Sequence, residues 1–241
     1  MAHEVATRRV LYEIPGMQAI HPREFRFAGA DGEPLPGRIY SPLSPLRQRF
    51  GEPGCVVIVE GYPDPGFVKH VGCRFMDMQW SISVAQLIAA TGMAAITYAN
   101  RQPAADALAI IDYATANSAQ LGIDGSRLGL WATSGHGPVA LSVLDRVSCA
   151  VLSNPVTGPA TTLSLPAAVP MFVIRSGKDE TPGLNESLDR FVASALTVNH
   201  PITLVNHPEA SHAFELNHDS STTRHLIRQA LTFLSDELRL D

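Results

Sequence analysis

Ser134, Asp179 and His212 are the residues of this chain whose types and order could perform nucleophilic catalysis. A serine hydroxyl is a weak nucleophile until a base removes its proton, and the imidazole that does so needs an acid to set its tautomer. Ser134 stands where a strand-like run, Arg127-Leu-Gly-Leu-Trp-Ala-Thr133, passes directly into a helical one. A sharp turn there would lift the hydroxyl clear of a sheet and aim the following backbone N–H groups at an incoming carbonyl. Strand and helix backbones pass close together in such a turn, so its neighbours should be small. The common form is Gly-x-Ser-x-Gly, whereas this chain has Ala132-Thr133-Ser134-Gly135-His136, with the next small residue at Gly137. A bulky His136 at this point could tilt Ser134 out of line.

The acid and the base follow in order. Met171-Phe-Val-Ile-Arg-Ser-Gly-Lys-Asp179 reads as a strand, a turn and a carboxylate, and Pro201 to His212 reads as a last strand with a histidine in the loop beyond it. Glu180, next to Asp179, competes for the acid's role. The chain has nine histidines, so a late one is unremarkable alone; the three sites jointly, each past a strand's carboxyl end, carry the reading. His207, His212 and His218 lack the helical or hairpin spacing of zinc ligands, and no metal is expected.

Stabilising the developing oxyanion requires two backbone donors. One comes from the residue after the nucleophile and one from the loop after an earlier strand. Val57-Ile-Val-Glu60-Gly61-Tyr62-Pro63-Asp64-Pro65-Gly66 supplies that strand and loop, and Pro63 has no N–H. The donors expected are therefore the amides of Tyr62 and Gly135. Glu60 and His136 are further candidates for lining the site. A carboxylate ending a buried strand is costly unless paired, so Glu60 should bond near Ser134 or His212, or pair with Lys69 or Arg101. Gly135-His-Gly137-Pro-Val-Ala140 formally matches a dinucleotide-binding turn, but the next strand ends in Ser153-Asn154 rather than in an acid.

The elements that must position these residues alternate. Strands are predicted at Cys55 to Val59, Met93 to Tyr98, Arg127 to Thr133, Cys149 to Leu152, Met171 to Arg175 and Pro201 to Asn206. Helices are predicted at Ser83 to Thr91, Pro103 to Leu121, Gly135 to Asp145, Leu184 to Leu196 and Thr222 to Leu238. Such alternation indicates an α/β fold with a mainly parallel sheet and helices on both faces. Residues 1–50 read as a peripheral extension with an antiparallel hairpin, Glu24 to Ala28 and Arg38 to Ser41, around Asp31-Gly32. Gly66 to Trp80 and Asn154 to Pro170 read as loops, the latter too short for a separate lid, and the whole chain, 1–241, reads as a single domain.

Composition limits the function classes. A net charge of -5 with no basic run argues against nucleic acid, and the longest apolar stretches are strand-length, far below a membrane span. The N-terminus has no signal-peptide pattern. Cys55, Cys73 and Cys149 form an odd set without metal spacing, expected to be thiols of a cytoplasmic protein.

With these residues assembled, the chain from about residue 53 onward resembles the α/β-hydrolases, in particular their small lidless branch that includes dienelactone hydrolases. The resemblance rests on Glu60-Gly-Tyr-Pro-Asp-Pro-Gly66, Leu128-Gly-Leu-Trp-Ala-Thr-Ser134-Gly135, Arg175-Ser-Gly-Lys-Asp179 and Ser211-His-Ala-Phe214. The opening Val10-Leu-Tyr-Glu-Ile-Pro-Gly-Met17 is similar to the start of uncharacterised members of that branch. The resemblance implies hydrolysis of a carboxylic ester or lactone through an acyl-enzyme, without cofactor, with Ser134 as nucleophile, His212 as base and Asp179 as orienting acid. Dienelactone hydrolases use cysteine where this chain has Ser134, and Glu60 would match their glutamate on the oxyanion strand.

The expectation is a serine hydrolase whose partner is a small-molecule ester or lactone, with no nucleic acid or membrane, and with a homodimer among the assembly states left open. Two rivals remain: a hydrolase-fold binding protein that has lost catalysis, and an acyltransferase or C–C hydrolase using the same three residues.

Overall fold

The computed structural model of the chain describes residues 4–43, 51–158 and 169–239. Short apolar runs form the centre of its sheet: β3 (Cys55–Ile58), β4 (Ala94–Tyr98), β5 (Leu128–Thr133), β6 (Cys149–Ser153) and β7 (Met171–Ser176). Almost every residue in them is buried, as in strands covered on both faces. With β1 (Arg23–Ala28), β2 (Pro34–Tyr40) and β8 (Ile202–His207), the described residues build one eight-stranded sheet in the order β1-β2-β4-β3-β5-β6-β7-β8. The pairs β1–β2 and β2–β4 are antiparallel and all the others parallel. β1 and β8 are the edges and expose much of their length.

Helices cover both faces. The chain order is α1 (Asp64–Val71), α2 (Gln79–Ala90), α3 (Pro103–Ala116), α4 (Ser118–Leu121), α5 (Gly137–Ser142), α6 (Leu184–Thr197), α7 (Phe214–Asn217) and α8 (Ser221–Glu237). Side chains of β3 alternate between two cores, as the pleat requires. Cys55 and Val57 join Ile110 of α3, Val139 of α5 and Phe191 of α6. Val56 and Ile58 join Leu87 of α2 and Leu231 of α8. Parallel pairing places the carboxyl ends of β3, β5, β6 and β7 along one rim of the sheet, where ligands bind in folds of this kind.

The six strands expected from Cys55 onward are all present within a residue or two of their ends. Four expectations need correction. The predicted loop after Gly66 begins as a helix, α1, whose signal was hidden by Pro63, Pro65 and Gly66; a proline in the first turn removes an N–H that has no helical partner anyway. Helix α2 starts four residues before Ser83, because the buried Ser81 and Ser83 there are satisfied by the carbonyl of Phe75 and the amide of Val10 and so pack as core. The long helix expected over 103–121 divides at Asn117, whose side-chain amide returns to the Tyr113 carbonyl.

The fourth concerns residues 1–50. β2 runs from Pro34 and joins the main sheet through β4. Val10, Met17 and Ile20, ahead of the hairpin, lie inside the α2–α8 core. The segment is thus structural rather than peripheral over its described part. The loop expected over 154–170 lies outside the described residues from 159 to 168. No helix among the described residues is long and apolar enough to cross a membrane.

Met17 is fully buried in this N-terminal segment. Met17→Ala should therefore lower the free energy of unfolding in urea by about 2–5 kcal/mol. Val68→Ala, on the exposed face of α1, should change it by about 0.5 kcal/mol or less. Equal small effects would mean that the N-terminal segment does not belong to the core.

Candidate active site

The strand β5 delivers an extended Thr133, and the chain then reverses through Ser134, whose φ is 50°. That left-handed conformation costs a side-chain-bearing residue roughly 1–2 kcal/mol, so surrounding contacts must hold it. The Ser134 carbonyl accepts the Val156 amide at 2.8 Å, tying the turn to the segment after β6. The same segment crosses so closely that a Cβ on Gly137 would lie 2.4 Å from the Val156 carbonyl oxygen. The requirement for a small residue falls at Gly137; at Gly135 a Cβ would lie 1.8 Å from the Tyr62 hydroxyl oxygen, so a larger residue there would have to displace that half-exposed ring.

Three side chains meet in line. Ser134 Oγ lies 2.7 Å from His212 Nε2, and His212 Nδ1 lies 2.7 Å from Asp179 Oδ2. The Asp179 side chain is wholly buried while His212 keeps about a third of its own exposed. Asp179 Oδ1 accepts the Thr181 amide at 2.9 Å, which leaves Oδ2 for the imidazole. The acid and histidine loops are laced together: the amides of Gly177 and Lys178 donate to the carbonyls of His207 and Ala210, each at 2.8 Å. Gly177 is required by this approach, since a Cβ would meet the Pro208 carbonyl oxygen at 2.6 Å. Asn217 then fixes the His212 carbonyl at 2.8 Å.

The competing residues fall elsewhere. Glu180 is exposed. His207 is buried 3.1 Å from the Thr223 hydroxyl, edge-on to His218, a packing arrangement away from the Ser134–His212–Asp179 line. Among the described residues no group of histidine, cysteine and acidic side chains could hold a metal ion. Cys55, Cys73 and Cys149 are free thiols, and burial pushes Cys149 up to about 12.

The loop after β3 packs directly on the turn at Ser134. A Cβ on Gly61 would lie 2.6 Å from the Gly135 carbonyl oxygen and 2.7 Å from the His136 Cα. The Gly61 N–H donates to His136 Nδ1 at 2.7 Å. The Tyr62 carbonyl accepts the Asn100 side-chain amide at 3.0 Å, and Asn100 and Asp64 exchange hydrogen bonds at 3.1 Å. The Tyr62 amide has no backbone partner among the described residues. Gly135, second in a short 3₁₀ turn, has an N–H that the turn itself does not use.

His136 does not displace Ser134. Its ring is 5% exposed and turns into a pocket where it lies 4.2 Å from the Phe75 ring and edge-on to Tyr62 at 5.4 Å. Burial lowers its pKa to about 3, so the imidazole is neutral and its Nδ1 can accept.

Glu60 also departs from expectation. Lys69 is exposed, and Arg101 pairs with Asp31. Glu60 is fully buried without a cation, and neither carboxyl oxygen has a hydrogen-bond partner. Burial first and the charge of Asp64 second push its pKa up to about 9; Asn100 nearby opposes the rise but is not within bonding geometry. Burial raises Asp64 as well, to about 6. Glu60 is thus a neutral acid beneath the loop at neutral pH.

Beside Tyr62 an apolar cleft of about 300 Å³ is lined by Tyr62, Pro63, Gly66, Phe67, His70 and Val71. Sequence reasoning missed Asn100, Asp64, Thr181 and Phe75. Asn100 had a usable signal, an amide two residues past the last residue of a buried strand. Thr181 sits two residues beyond the acid, where Asx-type turns form. Phe75 had none.

No protein-family model and no curated protein matches the chain. Solved structures do. A thermostable esterase from Pseudomonas putida ECU1011 superposes with a TM-score of 0.72 at 16% identity, covering 95% of this chain and 86% of that one. A bacterial heroin esterase gives 0.71 at 16%, covering 95% and 88%. An α/β-hydrolase enzyme from the metagenome of Lake Arreo, Spain, gives 0.70 at 18%, covering 90% and 82%. The chain has the α/β-hydrolase fold. The likeness at these identities is one of architecture, and none of the three is described as a dienelactone hydrolase.

A neutral buried Glu60 makes stability depend on pH. Its ordinary pKa is 4.5, and in the folded chain it keeps its proton to about 9. Between those values the unfolded chain releases a proton that the folded chain retains, so rising pH favours unfolding. The contribution is whole below 4.5 and is lost as pH climbs toward 9. Glu60→Gln should therefore gain stability relative to the parent between pH 5 and pH 8.5, by more than about 1 kcal/mol in urea titrations. Parallel curves for the two proteins would show that Glu60 ionises normally.

Proposed function

We propose that this protein is a serine hydrolase that cleaves small carboxylic esters or lactones through an acyl-enzyme on Ser134. The single observation that carries the reading is the line Ser134 Oγ, His212 Nε2, His212 Nδ1, Asp179 Oδ2, with both gaps at 2.7 Å and the serine on a left-handed turn. In this reading His212 takes the Ser134 proton as the oxygen attacks the acyl carbon. Asp179 holds the imidazole in the tautomer with Nε2 unprotonated and stabilises the imidazolium that follows. The amides of Tyr62 and Gly135 hold the oxyanion. His212 returns its proton to the leaving alkoxide; water, activated by the same base, then releases the acid and restores Ser134. No cofactor takes part.

The esterases with the same architecture support the ester-cleaving chemistry, and the lined cleft beside Tyr62 suits a short apolar acyl or alcohol group. The inward turn of His136 weakens the rival reading of a non-catalytic binding protein, since that rival rested on the bulk of this residue. The branch that includes dienelactone hydrolases stays part of the proposal through the Glu60-Gly61-Tyr62 loop. A single domain working in the cytoplasm, where three free thiols stay reduced, completes it.

A panel of p-nitrophenyl esters and small lactones, read with a fluorophosphonate probe, tests this. The parent should hydrolyse short esters and take up the label, and Ser134→Ala should lose both. Asp179→Asn should keep its fold by circular dichroism and lower kcat about 10³- to 10⁴-fold. Transfer of the acyl group to an added alcohol in preference to water would favour an acyltransferase. The absence of both turnover and Ser134-dependent labelling in the parent would return the protein to the binding class.

A further inference from the structure

We infer that His136 is a positioning residue that sets the oxyanion loop against the nucleophile turn through its hydrogen bond with the Gly61 amide. This deepens the proposed function and rests on it. The two segments that would supply the oxyanion donors leave neighbouring strands, β3 and β5, whose ladder sets their register as far as the Val59 amide on the Trp131 carbonyl at 2.9 Å; beyond that point the loop and the turn must be placed by their own contacts. Their contact is reciprocal. Gly135 leaves room for the Tyr62 ring, whose hydroxyl oxygen would sit 1.8 Å from a Cβ there, and Gly61 leaves room for the turn, whose carbonyl at Gly135 would sit 2.6 Å from a Cβ. Steric fit of this kind excludes wrong approaches but does not choose one position along the interface.

Past the end of the ladder a directional bond between described residues crosses it. The Gly61 N–H donates to His136 Nδ1 at 2.7 Å, a short distance for a nitrogen–nitrogen pair. Gly61 is the residue immediately before Tyr62, and His136 is the residue immediately after Gly135. The bond therefore joins the direct chain neighbours of both proposed donors. The residue that makes it is itself buried, 5% exposed, with its ring tilted against that of Phe75 at 4.2 Å. Its burial keeps the imidazole neutral at neutral pH, so Nδ1 can accept the Gly61 N–H. On the far side of the loop Asn100 holds the Tyr62 carbonyl at 3.0 Å. The peptides on either side of the one that carries the Tyr62 N–H are thus both held.

This accounts for the exchange of small and large residues after Ser134. The common turn has its second glycine two residues past the nucleophile; here Gly135 comes first and His136 second. A glycine at 136 would leave the Gly61 amide without this acceptor, and a histidine at 135 would have to push the half-exposed Tyr62 ring aside. The order Gly-His matches a loop that reads Gly-Tyr.

The test uses two variants that lose the ring's packing equally but differ at the acceptor. In His136→Asn the Oδ1 atom falls near the place of Nδ1, whereas His136→Leu has a similar branch and no acceptor. Both should lower Tm. With a short p-nitrophenyl ester, His136→Leu should lower kcat roughly 10- to 100-fold, less than deletion of an oxyanion donor, with KM within about threefold. His136→Asn should retain kcat within about fivefold of the parent and should react with the fluorophosphonate at a correspondingly retained rate. If kcat in the two variants falls equally, or follows Tm rather than the acceptor, His136 only fills space and the inference fails while Ser134-dependent turnover still stands. If the parent shows no Ser134-dependent turnover at all, the proposed function fails first and takes this role with it.

Discussion

Ser134 sits at a left-handed φ of 50° between a buried strand and a helix, and the surrounding segments are arranged to keep it there. Such a conformation persists only when neighbours over-determine it. The Val156 amide holds the serine carbonyl, the Tyr62 ring lies against Gly135, and Gly61 lies against the backbone of both Gly135 and His136. At Gly61, and at Gly137 against Val156, the neighbouring backbone comes closer than a methyl group would allow, which explains these two glycines by position rather than by general flexibility. The hydroxyl thereby points to His212 rather than capping the helix, as a serine before a helix ordinarily does.

The same constraint shapes the electrostatics. Packing the loop after β3 onto the turn removes Glu60, Asp64 and His136 from water. An isolated charge in such surroundings is expensive, and a group without a partner neutralises instead. Glu60 keeps its proton and His136 stays unprotonated at neutral pH, while Asp64, raised only to about 6, is the ionised member of the three and shares hydrogen bonds with Asn100. Asp179 differs. Its side chain is just as buried, but one oxygen takes the Thr181 amide and the other the imidazole, so both lone-pair directions are used.

Much of this was legible before the chain was folded. Apolar runs of strand length, separated by helical stretches, are readable because burial on both faces leaves no polar position to disguise them. Ser134, Asp179 and His212 were recognisable because each follows a strand end, and their order along the chain is a topological property. Helix α1 was not legible, since Pro63, Pro65 and Gly66 look like a turn unless one knows that their missing or unconstrained groups fall in a first helical turn. Nor was the place of Met17 and Val10 in the core, because short apolar residues scattered among polar ones acquire meaning only from the helix they cover.

The sequence by itself determined the layered α/β architecture and which serine, acid and histidine could act together, because periodicity and chain order are written residue by residue. Only the tertiary structure decided what His136 and Glu60 do. One looked like an obstacle and the other like half of an ion pair. Their roles depend on contacts across strands far apart in sequence: the Gly61 amide that the imidazole accepts, and the water and cations that the carboxyl does not meet. Direction of a side chain and desolvation of a charge are set by neighbours in space, and no local pattern of residues encodes them.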